Sequence, residues 1–152
     1  MGKNPNAVLA VLWAGLACGV LDITAAVVVY GYLGLQPMRL LQGIASGLLG
    51  PKAFDGGLAT ALLGLLCHFV IAFGAAIVFF VASRAIPFLI QNAVISGALY
   101  GVAVYFFMNR VVVPLSAAAK RPFSMRMMII GVIIHIFCVG LPISLSVRRF
   151  SR

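Results

Sequence analysis

Four apolar runs decide what this chain can fold into. They cover about residues 7–33, 57–82, 93–113 and 127–147, and each exceeds the roughly 18 residues that mark a membrane span. Hydrocarbon offers no water to a free backbone N–H or C=O, so a spanning segment is a helix or part of a closed barrel. A barrel shows roughly ten-residue segments of alternating polarity, and the chain has none. The expected fold is therefore all-α: a polytopic membrane protein with four transmembrane helices in a bundle. Residues 1–152 form a single transmembrane domain.

Composition agrees. Apolar residues make up 64% and charged residues 9% of the chain, with a mean hydropathy of +1.19. A soluble domain carries roughly 45–50% apolar and about 25% charged residues. The only acids are Asp22 and Asp55. Paired-carboxylate hydrolysis, a calcium-binding EF-hand and the His-Glu-x-x-His zinc protease motif all need acids that the chain lacks. The serines show no Gly-x-Ser-x-Gly context for a nucleophile, so the expectation is a non-enzymatic protein.

The net charge of +9 comes from residues between and after the apolar runs. That distribution suits loops facing anionic lipid headgroups, and membrane lipid rather than nucleic acid is the expected partner. Four spans put both termini on one side. Lys3, Arg84, Arg148, Arg149 and Arg152 fall there, and Arg39, Lys52, Arg110, Lys120, Arg121 and Arg126 fall on the other, five against six. Such a near-tie leaves the orientation unset by the positive-inside rule and raises the hypothesis of dual insertion. The Arg148-Arg149 pair abutting the last span leans towards termini in the cytoplasm.

The first run is too long for a secretory signal, so it reads as a retained span. Met1-Gly2 is followed by Asn6 rather than Ser or Thr, so myristoylation is not indicated. After it, Pro37 opens a short helix over about residues 37–49. Leu40, Leu41, Ile44 and Leu48 fall on one face and Arg39, Gln42 and Ser46 fall away from it, a pattern for a helix in the membrane interface; its glycines Gly43, Gly47 and Gly50 instead allow close packing on the bundle. Residues 114–124, polar, basic and flanked by proline, read as an exposed loop. Cys18, Cys67 and Cys138 share no Cys-x-x-Cys spacing and read as packing residues.

The spans carry an internal pattern. Gly15 and Gly19 stand one turn apart in the first, and Gly97 and Gly101 in the third. Gly64 stands one turn before His68 in the second, and Gly131 one turn before His135 in the fourth. Small residues at this spacing let helix backbones approach closely. A repeat of two helix hairpins follows, related by an axis along the membrane normal. Glycine-rich faces also suit a homo-oligomer.

Three ionisable residues lie within the spans: Asp22, His68 and His135. A charge at that depth costs roughly 2.5–3.5 kcal/mol, so each should face the bundle interior. Asp22 sits on a stripe with Gly15, Cys18, Gly19 and Ala26. His68 sits with Gly57, Ala61, Gly64, Ala72 and Ala75. His135 sits with Gly131, Cys138 and Pro142, and the proline should kink the fourth span. Under the repeat the two imidazoles share a depth and face one axis. Tyr100, Asn109 and Asp22 are candidate partners for them by residue type. Three roles are open. The residues bond across helices and fix register. They form a substrate or proton pathway, the usual work of buried acids and histidines. Or His68 and His135 hold a haem or a metal ion, with Asp22 or a cysteine. No motif calls for a cofactor, and the expectation is none. Trp13, Tyr30, Tyr32 and Tyr105 read as packing residues or interface anchors, and Arg110 as snorkelling to the headgroups.

His68 before the glycine-containing third span, then His135 in a final helix ending in Arg148-Arg149, resembles the layout of uncharacterised bacterial inner-membrane proteins of the YagU type. The likeness covers roughly the last two-thirds of the chain and lacks that family's long polar insertions. It implies a bacterial inner-membrane location and supplies no reaction. One acid in the first span and the charge near-tie also resemble the small multidrug resistance transporters. Their acid is a glutamate and their chains are shorter, so no function is carried over.

Overall fold

The computed structural model describes residues 6–120 and 122–150. Lys3, Arg121, Arg152 and the Met1-Gly2 pair lie outside the described residues. Among the described residues the helices are, in order, α1 (Ala7–Tyr32), α2 (Pro37–Leu49), α3 (Gly57–Ala85), the single turn α4 (Phe88–Gln91), α5 (Ala93–Leu115) and α6 (Met125–Phe150), with a 3-10 helix (Gly50–Phe54) between α2 and α3. Among the described residues there is no strand. α1, α3, α5 and α6 are long and apolar enough to cross a membrane. Large apolar side chains on all four point outwards, among them Val8, Leu66, Leu99 and Phe137. That surface suits lipid and not water.

α1 packs against α3 on one side and α6 on the other, and α6 in turn packs on α5. Tyr100 of α5 reaches across to α3, where its hydroxyl donates to the Ala75 carbonyl at 2.7 Å. Its ring also meets the edge of Phe79, with centroids 5.0 Å apart. Half of the core cluster is small residues, Ala14 and Cys18 of α1 and Ala72 and Ala76 of α3, packed with Phe79, Val139, Ile143 and Val147. Association in lipid depends on such close packing, because lipid tails are as apolar as the helices themselves.

The glycines realise it in two ways. A side chain at Gly15 or Gly19 would strike the rings of Phe73 or Phe69 on α3. A side chain at Gly97 or Gly101 would strike backbone of α6, at Gly140 and Leu141 or at His135 and Ile136. So both glycine pairs pack inside the chain, the first beneath aromatic rings and the second against a facing helix backbone. Gly64 lies against the backbone of α2 at Leu41, whereas Gly131 lies against the ring of Tyr105. The two hairpins thus repeat in sequence pattern but differ in contact chemistry.

α2 turns out differently from its amphipathic reading. Its buried residues are Gln42, Ala45 and Ser46, and it lies across the first turns of α3. Gln42 and Ser46 therefore point into the protein, while Met38, Leu48 and Leu49 face out. The reason is steric and polar together. Gly64 admits the α2 backbone, and the Gln42 amide donates to the Gly57 carbonyl at 3.0 Å. The loop after α5 closes on the far end of α2, where the Ala117 N–H donates to the Gly47 carbonyl at 2.9 Å.

Two stretches depart from α geometry: Met108–Val112 in α5 and His135–Gly140 in α6 are π-helical. Each ends two residues before a proline, Pro114 and Pro142. Proline has no N–H to give the carbonyl four residues back, and its ring crowds that carbonyl. Widening the preceding turn to i→i+5 bonding relieves both problems. The Leu141 N–H accordingly bonds to Ile136 and the Val113 N–H to Met108, each five residues back.

Candidate functional site

The three ionisable residues make different contacts. His68 is half-buried between α3 and α1, and its Nε2 lies 2.9 Å from the Gly19 carbonyl. A carbonyl only accepts, so Nε2 carries the proton and donates. The bond crosses from one helix to the other, and the ring also meets the edge of Phe69 at 5.6 Å.

His135 has other surroundings. Its Nδ1 lies 2.9 Å from the carbonyl of Gly131, one turn back on the same helix. Nδ1 is thereby the donor, and the Nε2 lone pair is left to accept a proton. The ring packs edge-on to Tyr105 of α5 with centroids 5.3 Å apart. Gly131 makes room for this arrangement, since any side chain there would occupy the Tyr105 ring. Tyr105 in turn lies near Tyr30 of α1 and Arg110 of α5.

Asp22 is half-buried in the middle of α1. Cys18 stands one turn before it on the same helix. Side-chain hydrogen bonds between these spans come from His68 and Tyr100 rather than from Asp22. His135 and Cys138 belong to the same π segment of α6, which packs against both α1 and α5.

The two histidines use different partners on different helices. Among the described residues no three His, Cys, Asp or Glu side chains are grouped so as to hold a metal ion. Asn109 turns back on its own helix, donating to the Tyr105 carbonyl at 2.9 Å. Tyr100, named as a partner for the imidazoles, bonds Ala75 instead.

Tyr105 and Tyr30 join the candidate site, although each reads in the sequence as a packing residue or interface anchor, and so does Cys138, which reads chiefly as a packing residue. A signal was there for two of them. Tyr30 stands eight residues after Asp22 on the same face of α1. Gly131 one turn before His135 marks a place where a large side chain from another helix can lie over the imidazole. No known family, curated protein or solved structure matches the chain.

Proposed function

We propose that the protein is a non-enzymatic integral membrane protein that carries protons across the bilayer, with Asp22 as the proton-binding group and His135 as a relay. The observation that carries this reading is the position of Asp22: mid-span, half-buried, and not engaged in the bonds that tie the helices together. An acid at this depth costs roughly 2.5–3.5 kcal/mol on insertion scales. Helix glue would recover part of that cost in an interhelical bond, as His68 does. Asp22 recovers none in this way, so its presence is better explained by work than by structure. His135 supports the reading with an Nε2 that has a lone pair to spare. The layout resemblance to YagU-type proteins supports a bacterial inner membrane as the location.

The test is proton flux in liposomes holding the purified protein, with a potassium diffusion potential as driving force and an entrapped pH dye as readout. Wild-type protein is expected to acidify or alkalinise the lumen according to the sign of the potential. Asp22→Asn is expected to abolish the flux while keeping the helical content. Equal flux from Asp22→Asn and wild type overturns the proposal, as does no flux above that of protein-free liposomes.

A further inference from the structure

α1 and α3 run antiparallel, and the glycine contacts fix their register: Gly19 lies against Phe69 and Gly15 against Phe73. Along this seam, towards the start of α1, runs a shallow cleft of about 410 Å³ lined by Ala7, Val8, Val11, Leu12 and Phe73. Every one of these side chains is apolar, and Val8 and Leu12 are exposed. The same face of α3 continues past the cleft. At 3.6 residues per turn Phe73, Phe80 and Arg84 fall within about 40° of one another, and Arg84 stands about 16 Å beyond Phe73 along the axis. The Arg84 guanidinium lies over the Phe80 ring, with Cζ 5.9 Å from the ring centre. The ring covers one face of the cation, and the N–H groups at its edge stay available.

We propose that this cleft holds one anionic phospholipid, with its phosphate on Arg84 and an acyl chain laid over Phe73. The lengths agree. Half of a hydrocarbon core of about 30 Å is about 15 Å, so a chain hung from the Arg84 end spans one leaflet and reaches the Phe73 ring. Charge selects the headgroup. The only side-chain carboxyls are Asp22, mid-span in α1, and Asp55, before the opposite end of α3. Neither is level with Arg84. Arg148 and Arg149 stand in the last turn of α6, which packs against α3 and α4 at this end of the bundle. A cationic rim with no side-chain carboxyl favours a net-negative headgroup over a zwitterionic one. A guanidinium also matches two phosphate oxygens with parallel N–H donors. A second copy inserted the same way round offers this rim further cations and no side-chain carboxyl.

Native mass spectrometry of the detergent-purified protein tests this, with phosphatidylglycerol and phosphatidylcholine of the same acyl chains titrated in separately. Wild-type protein is expected to retain one phosphatidylglycerol, with an affinity about fivefold or more above that for phosphatidylcholine. Arg84 is exposed at the end of α3, and Arg84→Gln is expected to weaken phosphatidylglycerol binding about tenfold. Leu12→Trp fills the cleft from the α1 side and should weaken it by a similar factor. Should that variant lose its helical circular dichroism, Val8→Trp takes its place. Arg110→Gln removes an exposed cation of α5, outside the cleft, and should leave binding unchanged. Equal retention of the two lipids by wild-type protein overturns the proposal, as does wild-type affinity in Arg84→Gln. A loss in Arg110→Gln as large as that in Arg84→Gln also overturns it, since net charge alone would then attract the lipid. A lipid-free dimer would mean that a second copy of the chain covers the cleft instead.

Discussion

Two glycine-to-alanine substitutions should separate close helix packing from helix propensity. Gly101 and Gly74 both sit inside spanning helices, and alanine is the better helix former by roughly 0.5–1 kcal/mol at either. Their surroundings differ. A Cβ on Gly74 would meet nothing within 4 Å. A Cβ on Gly101 would stand 2.7 Å from the Cα of Ile136 and 2.8 Å from the carbonyl carbon of His135. Those atoms are backbone and cannot rotate away, so α5 and α6 must move apart and loosen the contacts of Gly97 with Gly140 as well. Overpacking of this kind costs typically 1–3 kcal/mol. The propensity gain cancels in the comparison, so Gly101→Ala should be less stable than Gly74→Ala by about 1–3 kcal/mol. Equilibrium unfolding in mixed micelles with rising SDS, followed by circular dichroism, reads the difference. Equal stabilities would refute the claim that backbone contact between α5 and α6 holds this half of the bundle.

Other consequences are smaller or more local. His68→Leu removes the bond to Gly19 and should cost about 0.6 kcal/mol and at most about 1.7 in the same unfolding assay; a much larger loss would mean that His68 does more than join α3 to α1. The Ser124 hydroxyl accepts from the Met127 N–H at 3.4 Å and caps α6. Because that bond is long, Ser124→Ala should cost near the lower end of the usual range of about 0.5–2 kcal/mol, measured the same way. Pro142→Ala restores the missing amide, so the turn over residues 135–140 should close from π to α hydrogen bonding, visible by NMR of the labelled protein. A π pattern that survives the substitution would show that proline is not its cause.

The four long helices were legible because lipid leaves a chain few choices: long apolar runs, very few charges within them and no alternation. Inside the helices the sequence was less informative. Gly15, Gly19, Gly97 and Gly101 announce close approach but not the partner, which proves to be phenylalanine rings for one pair and backbone for the other. α2 was read from the distribution of bulky apolar residues. What orients it is the small face of Gln42, Ala45 and Ser46 beside Gly64; the glycines of α2 marked it for close packing but did not name that face or its partner. The expected kink at Pro142 takes the form of a π turn, and the same device recurs before Pro114, where the run was already ending. Asp22, His68 and His135 were visible as unusual residues. Their division into a helix tie, a bare acid and an imidazole with a free nitrogen depends on neighbours far away in sequence.

The most direct test of the account reads the proton on Asp22 itself. The chain has only two side-chain carboxyls, Asp22 and Asp55, so infrared difference spectra between acidic and alkaline pH are readily assigned. Membrane-reconstituted wild-type protein should show a carboxylic acid band that titrates with bulk pH, shifts in deuterated water and disappears in Asp22→Asn but not in Asp55→Asn. A band that neither titrates nor shifts, or one that persists in Asp22→Asn, would contradict the claim that Asp22 exchanges protons with water.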